Sequence, residues 1–331
     1  MSKPTIRDVA ALADVSVATV SAVINDSRYV SPELTERVES AVERLSYKPD
    51  SVARSLSTGE TKSIALVFSN AHSPIWPPLV RGAQRVAQEA GFDTFLITTD
   101  ENFEVEKRSL DTLLSKRVDG VIVAPAFTES YEHLQDTNRN VPVIAIERSV
   151  PGIESVVTDN EEISFRAVNH LIDHGYKRIG LVTIPLQGIN AAYRFDGYRR
   201  ALLENDLYDP DLVRETDFAG RTSVEHSLEL ILEANVDAIF ATSESTTIGV
   251  LQSARQVGRR IPDDLALFGY DEVAWMDVAV PPLSTVCQPS SQMSTLATRL
   301  LLERIKGREP SDKVHILESN LIIRQSCGCR P

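Results

Sequence analysis

The sequence predicts an all-α headpiece followed by a larger α/β domain built on parallel sheets, and three observations carry that prediction. The chain has 331 residues, more than a single hydrophobic core supports, so at least two domains are expected. Its first sixty residues space their apolar side chains as short helices do. From Ser63 onward, brief apolar runs alternate with amphipathic stretches of helical length.

The headpiece can be read in order. Thr5, with Asp8 three places on, has the layout of a capping box opening a helix that ends near Ala13. Asp14, Val15 and Ser16 read as a tight turn, with Ser16 capping the next helix. In "SVATVSAVIN", at about 100° per residue, Val20, Val23 and Ile24 share one arc while Val17, Ala18, Ser21, Ala22 and Asn25 share the opposite one. Two short helices joined this way make a helix-turn-helix, whose second helix enters the major groove of DNA. A third helix follows at "SPELTERVESAVERLSY", capped by Ser31, with Pro32 first and Val38, Val42 and Leu45 inward. The plainer alternative is a three-helix bundle with no ligand.

Charge gives this region no support. Residues 1–59 hold seven basic and eight acidic residues, and the whole chain carries a net charge of -13. The case for DNA rests on spacing.

In the remainder, "SIALVF", "DTFLIT", "GVIVAP", "VPVIAIE", "RIGLVTI", "AIFAT" and "LALFGY" are candidate buried strands, which predicts parallel sheets covered on both faces. "STGETKS" suits a linker to the headpiece. Sheets of this kind bind ligands beyond the carboxyl ends of their strands. That directs attention to "SNAHSPIW", "TTDEN", "ERSV", "PLQGINAAYRFDGYR", "SEST" and "DEVAW".

Several classes are disfavoured. No run approaches the roughly 18 apolar residues of a membrane helix, and "MSKPTIRDVA" lacks the apolar core of an export signal, so a cytoplasmic protein with no membrane partner is expected. Three cysteines are too few and too uneven for a disulfide framework. His170 and His174, four apart, read as a helix end terminated at Gly175, and "CGC" at 327–329 as an exposed tail, so no metal or other cofactor is expected. "GETKS" lacks the spacing of a phosphate loop, and no nucleophile, base and orienting acid converge, which argues against an enzyme.

The stretch "TIRDVAALADVSVATVSAVINDSRYVSPELTERVESAVERLSYKPDSVARSLSTGETKSIALV" resembles the opening of the lactose-repressor (LacI/GalR) family of transcription regulators. That resemblance implies a headpiece over 1–49, a hinge helix and linker over 50–61, and an effector-binding and dimerisation domain over 62–331. The last would have two lobes like those of periplasmic sugar-binding proteins, about 62–158 with 289–318 and about 159–288 with 319–331, crossed by three strands. It implies a hinge helix that forms when two copies meet on the minor groove, with Ala53 in that segment and Leu56 wedged into a base step. Thr5, Ser16, Thr19 and Asn25 would position phosphates, while Val17, Ala18, Ser21 and Asn25 would face bases. The turn of a helix-turn-helix most often has glycine where Asp14 stands, and the family commonly has arginine where Ala22 stands, so the half-site is expected to differ from that of the arginine-bearing members.

In the cleft, the resemblance places Trp76 and Phe218 as aromatic faces and Arg148, Arg194 and Asp271 as polar partners, with Gln288 near a crossover and Ser243 where asparagine is frequent. Glu147 and Glu244 replace the usual aspartates. Core packing competes for Trp76 and Phe218, and a surface pair with Glu147 competes for Arg148. The expectation is a homodimeric, ligand-responsive repressor of carbohydrate or related metabolic genes on a palindromic operator of double-stranded DNA. A dimer, not a tetramer, is expected because no heptad tail follows "LIIRQSCGCR". The alternatives are a solute-binding receptor, which would need an export signal and no headpiece, and a sugar-processing enzyme of similar two-lobed fold, for which no glycine-rich phosphate fingerprint is present.

Overall fold

Thr5 opens the first helix, as its pattern predicts. In a computed structural model describing residues 4–25, 28–47, 60–69, 73–128, 130–217 and 222–329, the Thr5 hydroxyl accepts from the Asp8 N–H, and the Thr5 N–H donates to the Asp8 carboxylate at 2.7 Å. Helix α1 (Ile6–Ala13) stops at Asp14, which adopts the left-handed conformation (φ 50°, ψ 52°) usually left to glycine. Helix α2 (Val17–Asn25) is capped by Ser16, whose Oγ accepts from the Thr19 N–H at 3.0 Å. Helix α3 (Pro32–Leu45) starts with proline, but Ser31 makes no side-chain capping bond, contrary to expectation.

Arg37 of α3 reaches back to donate to the carbonyls of Ala13 (2.7 Å) and Asp14 (2.9 Å), satisfying acceptors orphaned at the end of α1. Val9, Ala10, Ala13, Val20, Val38 and Ala41 form the small core, with Val42 and Leu45 only partly buried at its edge. The chain divides into two compact units, Met1–Thr61 and Lys62–Pro331.

Among the described residues, the second unit holds two six-stranded sheets. The first contains β1 (Ser63–Phe68), β2 (Asp93–Thr98), β3 (Gly120–Val123), β4 (Val143–Ile146), β5 (Ser155–Thr158) and β11 (Val314–Leu317), all parallel, in the order β11-β5-β4-β3-β1-β2. Along β1, Ile64, Leu66 and Phe68 meet α4 (Trp76–Glu89) and α12 (Ser290–Ile305), while Ala65 and Val67 meet α5 (Phe103–Ser115) and α6 (Glu132–Asn140). That two-sided burial explains the unbroken apolar runs. "DTFLIT" is the exception: β2 is an edge strand, with Phe95 48% and Leu96 49% exposed, so it is not a buried strand.

The second sheet runs β12-β10-β9-β8-β6-β7, from β6 (Ile179–Thr183), β7 (Val213–Glu215), β8 (Ala238–Ala241), β9 (Ala266–Tyr270), β10 (Ser284–Cys287) and β12 (Asn320–Ile322). Its last pairing, β10 with β12, is antiparallel, a departure from the all-parallel expectation. Helices α7 (Asn160–Asp173) and α8 (Ile189–Glu204) cover one face, and α9 (Ser223–Leu232) and α10 (Glu244–Gln256) the other. Beyond β9 lies a single turn, α11 (Trp275–Val278).

The main chain passes between the sheets three times, at 158–160, 287–290 and 317–320. The "CGC" segment is not an exposed tail: Cys327 is fully buried among Phe268, Val286 and their neighbours, and Cys329 is partly covered. Among the described residues no helix is long and apolar enough to cross a membrane.

Candidate functional site

The outer arc of α2 is built from small side chains. Ser16, Val17 (42% exposed) and Ala18 lie open, and Thr19 and Ser21 are half-buried. Ala22 departs from the expected face: at 3% exposure it offers nothing to a base, because it stands at the edge of the arc and carries only one methyl group. Thr5 is exposed, with its hydroxyl 2.8 Å from the Asp8 carboxylate. The Asn25 side chain, Ala53 and Leu56 lie outside the described residues.

A cavity of about 260 Å³ opens between the two sheets at the carboxyl ends of their strands. Trp76, Arg148, Arg194, Ser243 and Asp271 all line it, together with Glu101, Glu147, Asn190, Glu244 and Gln288. Phe218 lies outside the described residues. Trp76 belongs both to the core and to the cavity wall. Its ring stacks on Phe68 (centroids 4.5 Å, 25°) in the core of the first lobe, it lines the cavity, and its buried Nε1 has no partner among the described residues.

Arg148 does not pair with Glu147. Its guanidinium clamps Glu101 through two bonds of 2.7 and 2.8 Å and donates to the Pro125 carbonyl. Burial pushes the Glu101 carboxyl up, but the Arg148 bonds and charge outweigh it and hold Glu101 below the ordinary range. Glu147 is different: burial lifts it to about 7, with Arg194 pulling it down and Asp271 pushing it further up. Its Oε2 accepts from Asn190 at 3.3 Å, while its buried Oε1 has no partner among the described residues. Glu147 (φ 73°) and Asp271 (φ 68°) both sit in left-handed backbone, which costs a non-glycine residue on the order of 1–3 kcal/mol.

Arg194, 5% exposed, donates Nε to Asn160 Oδ1 (2.8 Å) and Nη1 to the Thr242 carbonyl (2.7 Å), with its guanidinium 3.8 Å from the centroid of the Tyr270 ring. Ser243 caps α10, accepting from the Thr246 N–H at 3.2 Å, and Glu244 accepts from Trp275 Nε1 at 3.1 Å.

These cleft groups connect to the crossings. Gln288 donates to Asp271 (2.7 Å) and accepts from the Thr158 hydroxyl (3.1 Å), which in turn accepts from Asn160 Nδ2 at 3.1 Å. The Ser319 N–H donates to Asp159 Oδ1 at 2.8 Å, tying the third crossing to the first. All three passages are thus joined by hydrogen bonds.

A domain described as "Bacterial regulatory proteins, lacI family" matches residues 5–50, and one described as "Periplasmic binding protein-like domain" matches residues 168–327. The chain is 34% identical over 327 residues to the ribose operon repressor of Halalkalibacterium halodurans, covering 97% of this chain and 96% of that one. It is 32% identical over 329 residues to the transcriptional repressor PurR of Aliivibrio salmonicida, covering 97% and 98%. The chain belongs to the LacI family of bacterial regulatory proteins.

A solved complex of the transcriptional regulator CelR with cellobiose shares 32% identity and a TM-score of 0.74, covering 98% of this chain and 99% of that one. Membership in the LacI family makes this protein a DNA-binding, ligand-responsive transcriptional repressor and not an enzyme. Its fold is that of the family: a helix-turn-helix headpiece and two parallel-sheet lobes. Sequence reasoning reached the strand-end stretches that hold Glu101 and Asn190 without naming either residue, and it missed Asn160 altogether. Their partners Arg148, Glu147 and Arg194 lie 47, 43 and 34 positions away, so no local pattern announces them.

Proposed function

We propose that this LacI-family repressor is a cytoplasmic homodimer on an inverted-repeat operator, controlled by a neutral polyhydroxylated metabolite, a sugar or sugar derivative, bound between the lobes. The observation that carries the reading is the charge balance of the cavity. Arg148 is already spent on Glu101, which leaves Arg194 facing the carboxylates of Glu147 and Asp271. Unpaired carboxylate oxygens accept hydroxyl donors and repel anions, and the Trp76 ring supplies an apolar platform for a sugar face. The relatives named for ribose and solved with cellobiose favour the same class.

The headpiece 1–49, the hinge 50–61 and the two lobes then act as one device. Ser16, Val17, Ala18, Thr19 and Ser21, with Thr5 and Asn25, meet one half-site, and Ala53 and Leu56 of the paired hinges meet the minor groove. Because Ala22 is buried, it drops out of that contact set. Exposed Phe95 and Leu96 on the β2 edge are apolar surface of the kind a second copy covers. Effector binding shifts the population of DNA-competent dimers.

Thermal denaturation of the full chain against carbohydrates, sugar phosphates and nucleobases tests the effector class, followed by the hits in the presence of candidate operator DNA. A neutral sugar should raise the midpoint while its phosphorylated form does not. Stabilisation by nucleobases or sugar phosphates alone would overturn the assignment.

A further inference from the structure

The end of α7 and the chain's last residues bring together four nitrogen and sulfur donors that no part of the repressor mechanism uses. His170 and His174, one helical turn apart, present their rings on the same side with centroids 4.4 Å apart. Opposite them, Cys327 and Cys329 flank Gly328, whose φ of +96° turns the chain so that both thiols reach the helix. A Cβ at position 328 would lie 2.5 Å from the Tyr176 hydroxyl, so the turn requires glycine.

Three nitrogen–sulfur distances fall near the edges of a coordination shell. His170 Nε2 lies 3.2 Å from Cys327 Sγ and 3.7 Å from Cys329 Sγ, and His174 Nε2 lies 3.1 Å from Cys329 Sγ. In a tetrahedral zinc site the edge between a nitrogen and a sulfur ligand is about 3.5 Å, given bonds of about 2.0 and 2.3 Å. His170, His174 and Cys329 offer ligand atoms all within 4.8 Å of one another. Supporting bonds are already in place: His174 Nδ1 is 2.9 Å from the His170 carbonyl, which leaves Nε2 as the free acceptor, and the Ser284 hydroxyl donates to Cys327 Sγ at 3.1 Å.

We propose that His170, His174, Cys327 and Cys329 form a structural zinc site that fastens the C-terminal segment to α7. Two thiolates and two neutral imidazoles match the preference of Zn²⁺ and balance its charge. His174 is exposed and gives the ion a path in, while buried Cys327 closes the other side. The fastened helix is the one whose first residue, Asn160, holds Arg194 in the cleft, so the ion would brace a wall of the effector site without touching it.

The test uses reduced, chelator-treated, untagged full-length protein titrated with Co²⁺ and then Zn²⁺. One equivalent of Co²⁺ per chain should produce the visible bands of a tetrahedral cobalt-thiolate centre, Zn²⁺ should displace it, and the thermal midpoint should rise. His174→Ala and Cys329→Ser, which leave the buried Cys327 in place, should each weaken Zn²⁺ binding at least 100-fold, whereas Cys287→Ser should not change it. The proposal fails if no stoichiometric tetrahedral spectrum appears. It fails equally if both site variants, still folded by circular dichroism, bind Zn²⁺ as the unaltered chain does.

Discussion

Gln288 Nε2 donates to Asp271 Oδ1 at 2.7 Å, and through this bond a residue of the second crossing holds a carboxylate of the effector cleft. The other end of the same amide accepts from Thr158 at the first crossing, so the cleft and the hinge share one side chain. Gln288→Leu removes both bonds while keeping the volume. It should cost about 1–3 kcal/mol of stability, since it strands a buried carboxylate oxygen and a hydroxyl. Fluorescence anisotropy of an operator duplex should show a smaller change between zero and saturating effector than in the unaltered chain.

Arg194 satisfies Asn160 and the Thr242 carbonyl from one rigid fork stacked on Tyr270. Lysine has neither the fork nor the plane. Arg194→Lys is therefore expected to weaken effector binding at least tenfold by calorimetry, while operator binding without effector persists.

Glu147 sets a pH dependence. Burial raises its pKa from 4.5 to about 7, so the folded chain holds this proton more tightly than the unfolded one. Its contribution to stability is fully present below pH 4.5 and is lost as pH rises to about 7. A hydroxyl donor favours the ionised form and acts in the opposite sense. Effector affinity should rise with pH up to a midpoint near 7, by at most about tenfold per unit, and Glu147→Gln should flatten the profile.

Leu56 is assigned to the minor groove by resemblance alone. In gel-shift titrations Leu56→Ala should weaken operator binding far more than Ala18→Gly, because an apolar wedge underwrites DNA bending worth several kcal/mol. Equal losses would contradict minor-groove reading.

Much of this architecture was legible in the chain itself, and what escaped did so for physical reasons. Helix α1 and its left-handed end at Asp14 follow from local spacing, and strands such as β1 and β4 are apolar throughout because helices cover both faces. "STVC" and the "SVVT" of β5 mix polar residues and are held by their sheet neighbours and the crossings, so no apolar run marks them. "DTFLIT" reads like a buried strand but is an edge strand, a difference set by which strand pairs with β1 and not by composition. The cleft residues at strand ends were within reach of the sheet rule. The Glu101–Arg148 clamp was not, since Arg148 has the acidic Glu147 as its neighbour in sequence but Glu101 as its partner in space. Cys327 was misread because nearness to the end of the chain says nothing of burial.

The most direct test of the central claim is reciprocity between the cleft and the operator. With one purified dimer, operator affinity is measured with and without saturating sugar, and sugar affinity with and without saturating operator. The account predicts that both change by the same factor, several-fold or more, as linkage requires. A sugar that fills the cleft yet leaves operator affinity unchanged would contradict it.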